Sequence, residues 1–381
     1  MRASFRLFRW HGIAVGVHWS LIVIAALIAY SLAEVTFPAG AANYPTGAYW
    51  LVAVVVSIAF LAGIAAHEFG HAVTAQRHGI KVSSIDLWLF GGIASLDTQP
   101  QSWRSELAVG ISGPIVSVVL GATGVIGSVV VAVGSGPELL GEAFRWFGVS
   151  NLALAGFNLL PGAPLDGGRV LSARRWRHHG DARRARCEAA RAGTVVASGM
   201  IAVGIASVFV GWIDTGIWLA FLGWFLGSAA REELASEESR RLLNGIDVAT
   251  VMSAPAIMTS PQTTLRTLVT EVLPVVHGST IPVVEHGVLV GLITPEHLRR
   301  VRSDQWATAT VGSVATPATS VATAHTGERL GEVLERVGGE LQRLVVLDGE
   351  GRVVGVVTPT DIARALQHAA LRDRAEHPLA R

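Results

Sequence analysis

The feature that most constrains this chain is the apolar segment 50–78, which contains the motif His67-Glu68-Phe69-Gly70-His71. Residues four apart share one face of a helix, so the imidazoles of His67 and His71 can reach a single metal ion. The carboxylate of Glu68 is then placed to act as a base towards a metal-activated water. The alternative is a pair of helix histidines that bind no metal. A charge in the middle of a membrane-spanning helix costs about 2.5 to 3.5 kcal/mol, which favours a functional role for Glu68.

Composition divides the chain into an apolar part and a polar part. Half of the 381 residues are hydrophobic and only 15% are charged, against about 25% in an average soluble protein. The long apolar runs lie within residues 1–230, whereas residues 231–381 have the composition of a soluble domain. A formal net charge of +1 does not indicate a nucleic-acid partner. The one cysteine, Cys187, excludes a disulfide within the chain and a cysteine zinc site.

Six segments approach the length of about 20 residues that is needed to cross a bilayer. They are residues 15–36, 50–76, 107–133, 144–172, 194–212 and 214–230. The first resembles a signal peptide in its basic start and apolar run. We interpret it as a retained span, because it is long and has no convincing small-x-small cleavage site.

The distribution of arginine predicts the orientation of these spans. Basic residues precede the first span, fill the connection 174–191 and follow the sixth span, whereas loops 37–49 and 134–143 contain no Lys or Arg. With six spans, all the basic segments fall on one side, which the positive-inside rule makes the cytoplasm. We therefore expect a multi-pass protein of the cell membrane with both termini in the cytoplasm, and contact between segment 174–191 and anionic lipid.

The connection after the second span contains a short apolar stretch, residues 85–96, that is too short to cross the bilayer. Its Gly91-Gly92 pair and its aromatic residues predict a small hairpin that dips towards the membrane. An exposed strand edge at this place could receive an extended peptide by strand addition. The alternative is a plain interfacial loop.

A third metal ligand is sought in the fourth span, where residues 157–169 contain two prolines and three glycines. An unbroken helix cannot contain this combination, and membrane proteins open the backbone where a site is lined. Asp166 is the acid within this span. At about 1.5 Å per helical residue, His71 and Asp166 both lie about 10 Å below the cytoplasmic surface. The alternative for Asp166 is a helix-terminus acid that faces Arg169.

The motif at 67–71, together with Asn158-Leu-Leu-Pro161-x-x-Pro164-Leu-Asp166-Gly, resembles the site-2 protease family of intramembrane zinc metalloproteases. The resemblance covers residues 1 to about 230. It implies one zinc ion per chain held by His67, His71 and Asp166, with Glu68 as general base. It also implies regulated cleavage of a membrane-spanning protein, often an anti-sigma factor in bacteria.

Two further polar positions are marked by the same motifs. Asn158 could hydrogen-bond the substrate backbone or the developing oxyanion, and the alternative is an interhelical hydrogen bond. Ser112-Gly113-Pro114 resembles the family's Gly-Pro segment. That segment commonly carries Asn three residues after the proline, where this chain has Ser117.

The polar part contains an internal repeat in which Thr294 and Thr358 are 64 residues apart. Each unit predicts a helix, two β-branched strands joined by a glycine turn, and a helix that starts at the threonine. A linker, residues 231–245, precedes the repeat and should extend the sixth span as a helix. One unit alone could hardly bury its sheet, so the two units should pack together.

The repeat resembles a pair of cystathionine-β-synthase-type (CBS) domains over residues 246–370, followed by a tail, residues 371–381. The resemblance implies a sensor that often binds adenosine nucleotides and often forms homodimers. The ribose contacts would fall on Thr358 and Asp361. The first repeat has His297 in place of the acid, so we expect at most one intact nucleotide site. The alternative is a purely structural pair that dimerises the enzyme.

These observations predict a polytopic α-helical membrane protein with about six transmembrane helices, followed by a cytoplasmic α+β tandem CBS domain. Its predicted function is zinc-dependent intramembrane proteolysis regulated by the CBS pair. One alternative is a CBS-regulated ion or metal transporter that uses the intramembrane His, Glu and Asp residues. Another is an inactive protein that only holds membrane partners, against which the presence of Glu68 argues.

Overall fold

The computed structural model describes residues 5–10, 13–88, 91–96, 100–275, 280–337 and 343–376. Its internal contacts divide the chain into two compact units, Met1–Glu237 and Glu238–Arg381.

The first unit is built from helices. They are α1 (Ser20–Ser31), α2 (Phe37–Gly40), α3 (Thr46–Arg77), α4 (Trp103–Val133), α5 (Glu138–Asn158), α6 (Asp166–His179), α7 (Ala182–Phe209) and α8 (Ile213–Asn244). A π-helical turn, Leu32–Thr36, joins α1 to α2. The last helix, α8, continues to Asn244 and confirms the predicted helical linker after the sixth span.

Five helical segments within the described residues are long and apolar enough to cross a membrane. They are Ser20–Gly40, Thr46–Arg77, Trp103–Val133, Ala182–Phe209 and Ile213–Asn244. Large apolar side chains project outwards from them, such as Leu51, Val133 and Phe209, the last of which is 86% exposed. A surface of large apolar side chains would be unfavourable in water, so it requires a lipid environment. Five of the six predicted spans are confirmed, and the last two are separate helices.

The fourth predicted span differs from the others because its backbone opens. The helix α5 ends at Asn158, Leu159–Leu165 are not helical, and α6 begins at Asp166. The opening predicted from Pro161 and Pro164 is therefore confirmed, and residues 144–172 do not form one continuous helix.

A four-stranded sheet accompanies the bundle in the order β1-β2-β3-β4. Its strands are β1 (Phe5–Trp10), β2 (Ile13–Val17), β3 (Val82–Trp88) and β4 (Gly91–Leu96). The antiparallel pair β3–β4 confirms the predicted hairpin, although its turn, residues 89–90, lies outside the described residues. The pair β1–β2 was not predicted. It moves the start of the first helix from the predicted residue 15 to Ser20.

The sheet is held against the C-terminal end of α3 by a buried apolar cluster. Ile13 of β2 and Ile85 of β3 are fully buried there, together with Ala72 and Ala75 of α3. Since β2 and β3 form the middle of the sheet, β4 remains at one edge. This packing brings the hairpin next to the helix that carries the histidine motif.

The helices of the bundle approach closely where glycines face each other. A Cβ atom added to Gly124 of α4 would lie 2.6 Å from the backbone of Gly148 in α5. Small residues at such crossings allow backbones to come together and increase the dispersion contacts that drive helix association in lipid.

The second unit contains two similar halves. Its helices are α9 (Val248–Val251), α10 (Leu265–Thr267), α11 (Pro295–Arg299), α12 (Val311–Val314), α13 (Leu330–Arg336) and α14 (Pro359–Glu376). Its strands are β5 (Ile281–Glu285), β6 (Val288–Ile293), β7 (Thr316–Pro317), β8 (Thr323–His325), β9 (Leu344–Leu347) and β10 (Val353–Val357). They form two three-stranded sheets in the orders β5-β6-β7 and β10-β9-β8.

The predicted repeat is confirmed in this unit. The pairs β5–β6 and β9–β10 are antiparallel, and α11 and α14 follow Thr294 and Thr358 respectively. A buried cluster that includes Leu292 from the first repeat and Val345 from the second confirms that the repeats pack on each other. The predicted tail begins within α14, and its residues 377–381 lie outside the described part of the chain.

Candidate metal centre

The helix α3 carries both histidines of the motif into the interior of the first unit. His67 is 3% exposed and His71 is 7% exposed. Their Nε2 atoms lie 3.2 Å apart, so the four-residue spacing places both imidazoles on one face as predicted.

Asp166 reaches the same point from α6, of which it is the first residue. Its Oδ2 lies 3.1 Å from Nε2 of His67, and its Oδ1 lies 3.1 Å from Nε2 of His71. The three side chains that the sequence analysis selected are therefore adjacent, with donor atoms within 4.8 Å of one another.

The spacing of these three donors fits a zinc ion. Ligands at about 2.0–2.1 Å from one ion, at tetrahedral angles, lie about 3.3 Å from one another. Space is left beside the donors by Gly113 of α4, where an added Cβ would lie 2.6 Å from Nε2 of His67 and still closer to His71. Two imidazoles and one carboxylate also form a common ligand set for catalytic zinc, with one position left open.

The short segment before α6 fixes the position of Asp166. A Cβ atom on Gly168 would lie 2.6 Å from Cα of Ala163, and one on Gly110 of α4 would lie 3.4 Å from the Asp166 carbonyl oxygen. The start of α6 is thus held between the opened segment and α4. The prolines break the helix and the glycines permit the close approach, and both features fix the position of Asp166.

The imidazoles are oriented by α4 through their second nitrogens. Nδ1 of His71 donates to the carbonyl oxygen of Val109 over 2.7 Å, which leaves Nε2 with a lone pair for a metal. Nδ1 of His67 lies 2.8 Å from Oγ of Ser117, and Ser117 is completely buried. This contact of Ser117 could not be predicted from the sequence, because Ser117 departs from the family pattern and the contact joins distant parts of the chain.

Glu68 lies beside His67 on α3 and is half-buried. It faces Gly92 of the edge strand β4, where an added Cβ would lie 2.7 Å from the carboxyl carbon of Glu68. The hairpin therefore covers the candidate base, and the absence of a side chain at position 92 leaves room for it.

The remaining predicted site residues lie elsewhere. Asn158 is half-buried and is the last residue of α5, directly before the opened segment. In the second unit, the backbone N–H and the hydroxyl of Thr358 donate to Oδ2 of Asp361 over 2.9 and 2.6 Å. Both residues are buried. Their side chains therefore cap the start of α14, a role that the sequence analysis did not include.

Comparison with known proteins agrees with this arrangement. The model of peptidase family M50 matches residues 55–142 and 137–203, and the CBS domain model matches residues 248–304 and 311–368. A relative named zinc metalloprotease Rip3, from Mycobacterium tuberculosis, is 39% identical over 96% of this chain and 93% of its own length. A relative named as a zinc metalloprotease from Synechocystis is 30% identical over 93% of each chain.

Among solved structures, the site-2 protease from Methanocaldococcus jannaschii is similar at 28% identity and a TM-score of 0.41. The match covers 60% of this chain and 94% of that one.

The family matches and the relatives aligned over nearly their full length define an intramembrane zinc metalloprotease with a C-terminal pair of CBS domains. The chain belongs to peptidase family M50, the site-2 protease family, and carries two CBS domains. The chain is thus classed as a membrane-embedded protease and not as a transporter.

Proposed function

We propose that this protease hydrolyses a peptide bond within or close to a membrane-spanning segment of another protein, with His67, His71 and Asp166 holding one zinc ion. The observation that carries the proposal is the convergence of these three side chains from α3 and α6, with Nε2 and carboxylate oxygens 3.1 Å apart. When bound, zinc supplies Lewis-acid polarisation of a carbonyl group and acidifies water.

Glu68 acts in this proposal as the general base. It takes the proton of the attacking water and later gives it to the amine that leaves. Its half-buried position beside His67 supports this role. Asn158, at the end of α5, is proposed to donate a hydrogen bond from its amide to the substrate backbone or the developing oxyanion.

The edge strand β4 is proposed to hold the substrate in an extended form. A peptide bond in a transmembrane helix is shielded by the helix's own hydrogen bonds, so the substrate must unwind locally. The position of β4 at the edge of the sheet, with Gly92 against Glu68, offers such a segment backbone partners beside the base. Small or helix-breaking residues in the substrate would favour the unwinding.

The biological role that we propose is regulated intramembrane proteolysis of a single-span protein of the anti-sigma-factor type. In this proposal the enzyme crosses the cell membrane several times with both termini in the cytoplasm. Residues 1–230 form the protease domain, 231–245 the linker, 246–370 the CBS pair and 371–381 a tail. The CBS pair binds an adenosine nucleotide at Thr358 and Asp361 and makes the enzyme a homodimer.

The test is substrate trapping with the variant Glu68→Gln. A panel of tagged single-span membrane proteins is co-expressed with the wild type, with Glu68→Gln, and with Glu34→Gln as a control. Glu34 lies in the first span, where its carboxylate accepts a hydrogen bond from Trp50. We expect cleavage by the wild type and the control, and uncut substrate that co-purifies with Glu68→Gln, which retains its zinc. Cleavage by Glu68→Gln at the wild-type rate would contradict the assignment of the base.

A further inference from the structure

One buried polar side chain in the first unit takes no part in the proposed chemistry. Asn151 lies on α5 and is completely buried. Its Nδ2 donates to the carbonyl oxygen of Phe147 over 2.8 Å, whereas its Oδ1 is buried and has no hydrogen-bond partner among the described residues. Lipid offers no water to such an oxygen, so its burial is unfavourable unless another contact compensates for it.

The bond to Phe147 fixes which end of the Asn151 amide faces the neighbouring helix. A carbonyl oxygen can only accept, so the NH₂ group of Asn151 must lie on the side of Phe147. Oδ1 therefore faces α3, where a Cβ atom added to Gly63 would lie 3.0 Å from it. In glycine a hydrogen occupies the direction of that Cβ, so Gly63 turns a C–H group, which is a weak donor, towards Oδ1.

The contact at Gly63 lies directly beside the metal centre. Gly63 precedes His67 by four residues, so both lie on one face of α3, one helical turn apart. His67 contacts Ser117 of α4 on this face. Glycine inside a helix is unfavourable relative to alanine, and at position 63 it is explained by the close approach of the Asn151 oxygen.

The helix α5 is also the element that leads to the third proposed ligand. From Asn151 it continues for two turns to Asn158, and the opened segment, Leu159–Leu165, then connects it to Asp166. The contact between α3 and α5 therefore relates the helix that carries both histidines to the segment that carries the aspartate.

A second contact joins the same two helices but fixes them less tightly. The rings of Phe60 on α3 and Trp146 on α5 form an edge-to-face pair with centroids 5.4 Å apart. Such pairs are favourable over centroid distances of about 4.5–7 Å, so this pair alone leaves the helices free to shift. The oxygen of Asn151 against Gly63 leaves no such freedom.

We propose that Asn151 is a positioning residue for the metal site, which holds α3 at the axial position and rotation at which His67 and His71 meet Asp166. The inference rests on the proposed ligand set, because it concerns the geometry of these three residues. Both Nε2 atoms lie 3.1 Å from a carboxylate oxygen of Asp166, and both move together when α3 moves. A site of this kind must be held within about 0.5 Å of its working geometry.

The test is a double-mutant cycle with Gly63→Ala and Asn151→Ala in the purified full-length protein in detergent. Competition with a chelator gives the zinc affinity. We expect Gly63→Ala and Asn151→Ala each to lower it about tenfold, the smaller end of the effect of losing an outer partner of a metal ligand. The double variant should bind zinc no more weakly than Asn151→Ala alone, because removal of the amide makes room for the new methyl group.

A spectroscopic measurement separates positioning from general stability. The visible absorption of the protein loaded with Co²⁺ in place of zinc reports the arrangement of the ligands, and melting temperatures report folding. We expect the Co²⁺ bands to change in both single variants. If Gly63→Ala does not fold, Asn151→Ala carries the test, because it creates no overlap.

Two variants serve as matched controls. Ser57→Ala removes a buried hydroxyl of α3 that donates within the helix, to the carbonyl oxygen of Ala53. Gly199→Ala adds a methyl group to α7 at a position where no described atom lies within 4 Å of the new Cβ. Both should keep the zinc affinity and the Co²⁺ spectrum of the wild type.

The inference is overturned if the single variants bind zinc like the wild type, if their losses add in the double variant, or if the Co²⁺ spectrum stays unchanged while only the melting temperature falls. Loss of zinc in Asp166→Ala, combined with wild-type affinity in Gly63→Ala and Asn151→Ala, would overturn this inference alone. A wild type that binds no zinc would overturn the proposed ligand set, and this inference with it.

Discussion

At the scale of single residues, the metal centre depends on groups that orient the ligands as well as on the ligands themselves. A histidine that binds a metal through Nε2 must hold its hydrogen on Nδ1, and the partner of Nδ1 stabilises that tautomer. Val109 provides a backbone oxygen for His71, and Ser117 provides a hydroxyl for His67. Both partners come from α4, so one helix aligns the two imidazoles of another.

The variant Asp166→Ala tests the proposed ligand set. Wild-type protein in detergent should contain about one zinc ion per chain, and Asp166→Ala should lose it, because two imidazoles alone leave the ion with too few ligands. The measurement is zinc content by atomic emission after dialysis. The control is Asp181→Ala, at the start of α7, where the carboxylate accepts from the backbone of Arg184. Full zinc in Asp166→Ala would show that another residue is the third ligand.

The variant Ser117→Ala tests the orientation of His67. We expect zinc affinity to fall about 10- to 100-fold, which is typical when an outer partner of a histidine ligand is removed. Competition with a zinc chelator gives the affinity without an activity assay. Ser128→Ala is the matched control on the same helix, because the Ser128 hydroxyl donates only to a backbone oxygen, that of Val125. Equal affinity in Ser117→Ala and the wild type would exclude an orienting role.

At the scale of elements, the site is assembled where α3, the start of α6 and the strand β4 meet. The helix α3 supplies the histidines and the base, the opened segment before α6 supplies Asp166, and β4 covers Glu68. Each element reaches this place for a different physical reason. The first is a continuous apolar helix, the second a break imposed by proline, and the third a hairpin held to the helix by buried aliphatic side chains.

The variant Gly92→Ala tests the contact between β4 and the base. Its Cβ would overlap the side chain of Glu68, so either the strand or the base must move. We expect cleavage to fall about 100-fold, the order of a general base's contribution, while zinc content stays at the wild-type level. Gly156→Ala is the control, because nothing lies within 4 Å of a Cβ at that position of α5. Unchanged cleavage by Gly92→Ala would show that β4 does not constrain Glu68.

Several elements follow from the sequence, and others do not, for identifiable reasons. Apolar length predicts the five long helices, and the prolines of segment 157–169 predict the opening. The strand β2 could not be separated from the first span, because Ile13–Val17 is itself apolar and only His18 and Trp19 lie between it and α1. The contact of Ser117 with His67 could not be predicted either, because it joins residues 50 positions apart. The same holds for the cap of α11, in which the backbone N–H of Thr294 donates to Nδ1 of His297, because a histidine stands there in place of an acid.

At the scale of the whole molecule, the chain combines a membrane-embedded protease with a CBS pair that follows the last long helix. The helix α8 continues from the apolar bundle to Asn244 without a break, and the CBS match begins at residue 248. In sequence, the CBS pair follows the last apolar segment, Ile213–Asn244. The orientation of the spans therefore decides whether the CBS pair meets cytoplasmic metabolites.

The last prediction concerns this orientation, which rests on the arginines of segment 174–191 and their absence from loops 37–49 and 134–143. Green fluorescent protein folds to its fluorescent form in the cytoplasm, so fusions at either terminus should fluoresce. A phosphatase that requires an oxidising compartment should be active when it is inserted at loop 37–49 or loop 134–143, and inactive when it is inserted at segment 174–191. Replacing Arg174, Arg175 and Arg177 by Gln should reduce the fluorescence of the C-terminal fusion, because the charge bias that retains this connection is weakened. Replacing Arg299, Arg300 and Arg302 serves as the control, since these arginines lie far from any span in sequence. Fluorescence at one terminus and phosphatase activity at the other would contradict the orientation, because that pattern requires an odd number of crossings.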